Sequence, residues 1–275
     1  MKYEIFENEI VIYDKQDFNP KHILECGQIF TYEKLENCYK VYSEDKYAII
    51  EENEDCVKIK TNFPKYFEEF FDLKNDYSLI KKELLKYDFM KEPIEFGNGI
   101  RILKQNLFEM LISFIISANN NIKRIQLIIN RMKEEIGEKK NGYYAFPTRE
   151  KMLLKDEEFF KKIGAGYRAK YLYQVIRQID EEKLNNFMLL PTDELRKELV
   201  KLMGVGPKVA DCILLFGYGR QTVFPVDTWI CQMYNKFIGE EENREVMRKN
   251  LVEMFGDYSG YAQQYLFYFQ RSFIK

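Results

Sequence analysis

Leu202-Met203-Gly204-Val205-Gly206-Pro207-Lys208-Val209-Ala210-Asp211-Cys212 decides how the rest of the chain is read. Upstream, Asp193 to Leu202 has the pattern of a helix. Downstream, Val209, Cys212, Ile213 and Phe216 recur at i, i+3, i+4 and i+7, the apolar face of a second helix. The linker is too short for anything but backbone work. Gly204 and Gly206 let the main chain turn sharply and approach a partner closely, and Pro207 is preset for a first helical turn. The N–H groups of such a helix start point outward and favour an anion, typically a phosphate, so Gly204, Gly206 and Lys208 are candidate phosphate contacts. A plain αα-hairpin would also use a glycine turn. Lys208 is the departure, a cation in the first turn, where the helix dipole opposes it.

The whole chain narrows the choices. Its 275 residues can hold one large domain or two modest ones. Basic residues number 42 and acidic ones 44, a formal net charge of −2, so a nucleic-acid contact has to use a local basic face. No apolar run reaches membrane-spanning length and the start lacks a signal-peptide profile, so a cytoplasmic protein without a membrane partner is expected. Five scattered cysteines suit reduced thiols. They form no CxxC pair and none follows Cys231, which argues against zinc or iron–sulfur ligation; no metal and no cofactor is expected. His22 is the one histidine, so a Ser-His triad is not expected either. Chemistry must come from Lys, Asp, Glu, Tyr or Cys.

The segments predict an α+β fold, an N-terminal antiparallel sheet domain (residues 1–95) followed by a larger all-helical domain (residues 96–275) with its hairpin at 203–208. Up to about residue 62, runs such as Glu9–Tyr13, Ile29–Tyr32, Tyr39–Tyr42, Tyr47–Ile50 and Val57–Lys60 alternate with polar turns, as in a meander. From Tyr66 the period is helical, and Pro93 to Gly99 is the candidate boundary. Helices are expected at Phe108–Ala118, Ile122–Ile136, Glu150–Lys162, Tyr171–Ile179, Thr228–Phe237 and Tyr261–Phe273. Asn119-Asn120-Asn121 must cap or turn, and Gly164-Ala165-Gly166-Tyr167-Arg168 is a glycine turn presenting an aromatic and a cation.

Lys208 is the candidate nucleophile. Among cations at a helix start, the neutral form of an amine is favoured, though a lysine there can also simply touch phosphate. Cys212 lies at i+4 on the same face and could leave room for a flat ring, or be a buried packing residue. Asp227 precedes the Thr228 helix. It can cap that helix, or it can place an anion beside a developing positive sugar. Gln263 and Phe267, at i and i+4, put an amide and a ring on one helix face, which suits base reading and stacking.

With Asp227 nineteen residues after Lys208, Gly204 to Cys212 resembles the helix-hairpin-helix and Gly/Pro…Asp motif of DNA glycosylases, and most closely the 8-oxoguanine DNA glycosylase/AP lyases. Cys26-Gly27-Gln28-Ile29-Phe30, Ser117 to Ile125, Gly166 to Tyr171 and Tyr261 to Phe267 resemble further segments of that family. The resemblance implies that Lys208 attacks the sugar C1′ and becomes a Schiff base, with Asp227 assisting. It implies a lesion held between Cys212 and Phe267, its Watson–Crick edge on Gln263 and its N7–H on the Gly27 carbonyl. Asn119, Arg124, Tyr167 and Arg168 would fill the vacated stack and hold the orphaned cytosine. The implied partner is double-stranded DNA carrying 8-oxoguanine opposite cytosine, bound by a monomer. Trp229 and Gln270 depart from the family, which usually has a histidine and an acid there. The alternatives are a glycosylase for alkylated bases, which has no need of a hairpin lysine, and a non-catalytic helix-hairpin-helix protein, which has no use for Asp227, Cys212 and Phe267.

Overall fold

The computed structural model describes residues 1–273. Six antiparallel strands form the N-terminal sheet: β1 (Tyr3–Ile5), β2 (Glu9–Ile12), β3 (Tyr32–Lys34), β4 (Cys38–Ser43), β5 (Lys46–Glu52) and β6 (Val57–Lys60). Their order is β1-β2-β6-β5-β4-β3. The register sets Ile10, Ile59 and Ile50 side by side across three strands. All three are buried, and the face they form packs on Phe18, Phe67, Phe70 and Phe71, while Lys58 and Lys60 alternate away from that core.

The expected strand at Ile29–Tyr32 begins only at Tyr32. Gln28 explains this. Its buried amide donates to the Ile23 and Arg101 carbonyls and accepts from the Leu103 N–H, drawing residues 28–31 into the junction between sheet and helices. Phe30 there meets Phe114 edge-on, ring centroids 5.7 Å apart. The Pro93 to Gly99 segment is not a linker, since Pro93 sits in the first turn of a helix, Lys91–Phe96. Tyr77, Ile80, Leu84, Met90 and Ile94 already belong to the helical core, and Leu103 returns to the sheet core. Arg101 pins the two together. Fully buried, it donates to the Phe71, Asp17, Asp72 and Asn75 carbonyls with its ring-facing side on Tyr77.

The larger part is helical apart from a two-residue-per-strand hairpin, Lys139–Lys140 with Tyr143–Tyr144. Leu107–Ser117 runs through its middle and Ile122–Ile136 lies beside it. The expected Glu150–Lys162 helix is two, Arg149–Leu153 and Glu157–Lys162. Asp156 caps the second by accepting from the Phe159 N–H at 2.8 Å, and Leu154 at the break is 84% exposed. Arg168–Gln178 leads to the hairpin helices, Thr192–Val200 and Pro207–Phe216, then Thr228–Phe237, Arg244–Phe255 and Ser259–Phe273. Among the described residues no helix is long and apolar enough to cross a membrane, and no group of His, Cys, Asp and Glu could hold a metal ion.

Candidate functional site

The hairpin is built to hold its second helix still. Gly204 has a φ of +84°, and a Cβ there would stand 2.7 Å from that of Tyr171, so only glycine lets the turn lie against the Arg168–Gln178 helix. Gly206 is the N-cap of Pro207–Phe216 and offers no side-chain cap; a Cβ on it would meet nothing within 4 Å. That helix start is open to a partner. Below it, Asp211 takes both Arg196 nitrogens at 2.7 and 3.1 Å and Arg248 Nε at 3.3 Å, tying the two hairpin helices to Arg244–Phe255.

Lys208, half-buried, turns inward. Its Nζ lies 5.8 Å from the Phe114 ring centroid and it lines a cleft of about 610 Å³ together with Gly27, Asp227, Trp229, Phe267 and Arg271. Crowding by cations would favour a neutral amine; here the balance runs the other way. Burial does work against the charge, but Cys212 and Asp227 outweigh it, and the amine titrates above the ordinary lysine range. Burial also pushes the Cys212 thiol up.

Asp227 does both of the things its position allowed. Its Oδ1 accepts from the Ile230 N–H at 3.0 Å, capping Thr228–Phe237, and the same carboxylate faces the cleft. Gly27, at φ +93°, lines the same cleft, and an added Cβ would lie 3.1 Å from Phe267 Cε1. Cys212 and Gln263 are set behind this surface. Cys212 is 3% exposed, and Gln263 is buried with Nε2 3.4 Å from the Pro225 carbonyl and Oε1 unpartnered. Four of the six residues expected at the lesion thus line one cleft, and the other two are buried and do not line it.

None of the four residues expected opposite the lesion lines the cleft itself; Asn119 and Arg124 adjoin its lining residues Asn120 and Lys123 at the rim. Asn119 is exposed with φ +49°, the left-handed conformation that asparagine tolerates best. Tyr167 is 54% exposed and donates to the Ala118 carbonyl at 3.2 Å. Arg124 is exposed and reaches the Gly164 carbonyl at 3.4 Å. Arg168 differs from its expectation. It is 3% exposed, its guanidinium donating to the Ala118 and Asn119 carbonyls, so in the unbound chain it holds the asparagine loop rather than offering itself to a base.

Arg271, Trp229, Phe114 and Lys123 line the cleft without having been singled out for it. Arg271 was legible, lying four residues after Phe267 and eight after Gln263 on one helix face. Phe114 was not, because an aromatic in an apolar helix reads as core.

Two family models match the chain, the 8-oxoguanine DNA glycosylase N-terminal domain over residues 10–111 and the HhH-GPD superfamily of base excision DNA repair proteins over residues 112–255. The chain is 29% identical to the N-glycosylase/DNA lyase of Saccharomyces cerevisiae, over 92% of its own length and 84% of the yeast protein. It is 30% identical to a probable N-glycosylase/DNA lyase of Methanothermobacter thermautotrophicus, covering 72% of this chain and 70% of that one. Among solved structures, it superposes with a TM-score of 0.93 and 38% identity on the Clostridium acetobutylicum 8-oxoguanine glycosylase/lyase in complex with double-stranded DNA containing cytosine opposite 8-oxoguanine. That match covers 99% of this chain and 98% of the other.

Proposed function

Since the chain belongs to the HhH-GPD superfamily of base excision DNA repair proteins, and within it to the 8-oxoguanine glycosylase/lyases, we propose that it extrudes 8-oxoguanine from duplex DNA, cleaves the glycosidic bond and nicks the abasic strand. The observation that carries the site assignment is that Lys208, Asp227, Gly27 and Phe267 line one cleft. A flipped base needs a slot, and a glycosidic bond needs an amine and an anion at its sugar end.

Lys208 enters the reaction charged, so its proton has to leave first. Asp227 is the group that both stabilises the ammonium and can accept that proton. The amine lone pair then forms a bond to C1′ as the bond from C1′ to the base nitrogen breaks, and the base leaves with the electron pair. As that proton passes on from Asp227 to the departing base, the carboxylate is restored and steadies the positive charge that develops on the sugar. Ring opening gives a protonated imine on Lys208, loss of a C2′ proton expels the 3′ phosphate by β-elimination, and water returns the free lysine.

The base lies against Phe267, with Cys212 on its other face and Gln263 on its Watson–Crick edge. Both Cys212 and Gln263 are buried in the unbound chain, so side chains around them have to shift before a base can touch them. The Gly27 carbonyl accepts from N7–H, which 8-oxoguanine has; guanine presents an N7 lone pair there, and two acceptors repel. Asn119 and Tyr167 enter the vacated stack, Arg124 faces the orphaned cytosine, and Arg168 joins it by exchanging the Ala118 and Asn119 carbonyls for the base. The open start of Pro207–Phe216 grips a backbone phosphate. The enzyme acts as a monomer on duplex DNA, and its five free thiols suit a reducing cytoplasm.

The test is release of base from an 8-oxoguanine:cytosine duplex beside duplexes carrying 3-methyladenine or hypoxanthine. Release of 8-oxoguanine with a nicked strand is expected. Release of only the alkylated or deaminated base would replace this substrate reading, and binding with no release at all would make the protein a non-catalytic DNA-binding module.

A further inference from the structure

We propose that Arg271 is a specificity-determining residue of the pocket, donating a hydrogen bond to a carbonyl oxygen that flanks N7–H on the extruded base. The inference rests on the base-excision reading above. Gln263, Phe267 and Arg271 succeed one another at four-residue intervals along Ser259–Phe273, one face of one helix. Arg271 is tethered by Nη2, which donates to the Glu25 carbonyl. Its Nη1 is sealed from solvent and has no acceptor. The guanidinium lies 5.2 Å from the centroid of the Phe267 ring, and Nη1 comes within 2.7 Å of where a Cβ on Gly27 would stand. The unmatched donor, the Gly27 backbone and the stacking ring therefore converge on one point. A charged N–H left dry and unpaired is costly, and a ligand that supplies its acceptor recovers that cost.

Two unmatched groups lie on that helix face, an acceptor at Gln263 Oε1 and a donor at Arg271 Nη1. An 8-oxoguanine is complementary to both. Its Watson–Crick edge carries N–H donors for the amide, and its opposite edge carries N7–H between two carbonyl oxygens, O6 and O8. With N7–H on the Gly27 carbonyl, one of those oxygens falls to the guanidinium. Because Nη1 is sealed in the unbound chain, a neighbouring side chain, the Phe267 ring being one, has to shift for a base to reach it.

The experiment measures affinity in a Lys208→Gln background, where turnover does not intervene. Arg271→Leu should lower the preference for 8-oxoguanine:cytosine over guanine:cytosine by about tenfold or more, leave affinity for a duplex with a tetrahydrofuran abasic analogue unchanged, and be partly reversed in Arg271→Lys. An 8-oxoadenine duplex, which keeps O8 and has an amine at C6, checks the acceptor: a persisting loss assigns O8, the oxygen guanine lacks, and a vanished loss places the bond on O6, which guanine shares, and overturns the specificity claim. An undiminished preference in Arg271→Leu would overturn the proposal while the base-excision reading stands. An equal loss on the abasic analogue would also overturn it, reducing Arg271 to a structural prop. If the Arg271-containing parent shows no preference for 8-oxoguanine, the substrate reading fails, and the proposal with it.

Discussion

Asp211→Asn should loosen the base of the hairpin. The carboxylate is 1% exposed and neutralises two arginines, taking Arg196 through two bonds of 2.7 and 3.1 Å and Arg248 at 3.3 Å. An amide keeps the shape but removes the charge and turns one acceptor into a donor facing guanidinium. Arg196 retains Glu245 at 2.6 Å, and Arg248 retains only Asp193 at 3.8 Å. Breaking a buried pair in this way costs about 3 kcal/mol or somewhat more. For a chain of this size that is a fall in Tm of roughly 6–12 °C. Thermal unfolding followed by circular dichroism measures it directly. Because Lys208 lies one turn before Asp211 on the same helix, the yield of borohydride-trapped DNA adduct should fall as well, at temperatures where the variant is still folded. A loss of stability below about 1 kcal/mol, with normal trapping, would refute the claim that this clamp is what holds the hairpin in place.

Gly27→Ala should separate the two activities. The left-handed φ costs an alanine about 1–2 kcal/mol, and its Cβ would crowd Arg271 Nη1 and Phe267 at 2.7 and 3.1 Å. Base release from 8-oxoguanine:cytosine should drop about tenfold or more while nicking of a preformed abasic site, which needs no base pocket, stays near parental. Glu109 gives a pH prediction. Burial raises its carboxyl from 4.5 to about 8, so between these values the unfolded chain ionises while the folded one keeps its proton, and this group's contribution to stability falls as pH rises. Urea unfolding across that window should show Glu109→Gln gaining on the parent by on the order of a few kcal/mol, with no further change above about pH 8. Arg168→Met should free the Ala118 and Asn119 carbonyls and weaken binding to 8-oxoguanine:cytosine by about tenfold, read by fluorescence anisotropy; unchanged binding would leave Arg168 without a part in the rim.

What the sequence disclosed follows a physical line. Periodic apolar segments were legible, so the hairpin helices, Ile122–Ile136 and four of the six strands stood out. β1 has three residues at the sheet edge and too little pattern to detect. Ile29–Thr31 misled because its composition is β-like while its geometry is dictated by the Gln28 amide, seventy-odd residues from its partners at 101 and 103. Arg244–Phe255 was missed because its exposed face is heavily charged, and Asn243 alone marks its start. In the site, residues fixed by local rules could be found: a capping aspartate, glycines, an i and i+4 pair. The charge state of Lys208 could not. It depends on Asp227, brought to the same cleft from another helix, and on how completely Cys212 is buried.

Borohydride trapping on an 8-oxoguanine:cytosine duplex tests the central claim most directly. The parent protein should yield a covalent protein–DNA adduct, and mass spectrometry of its peptides should place the bond on Lys208. Lys208→Gln should bind the same duplex and give no adduct. An adduct at parental yield in Lys208→Gln, or one mapped to another amine, would contradict the account.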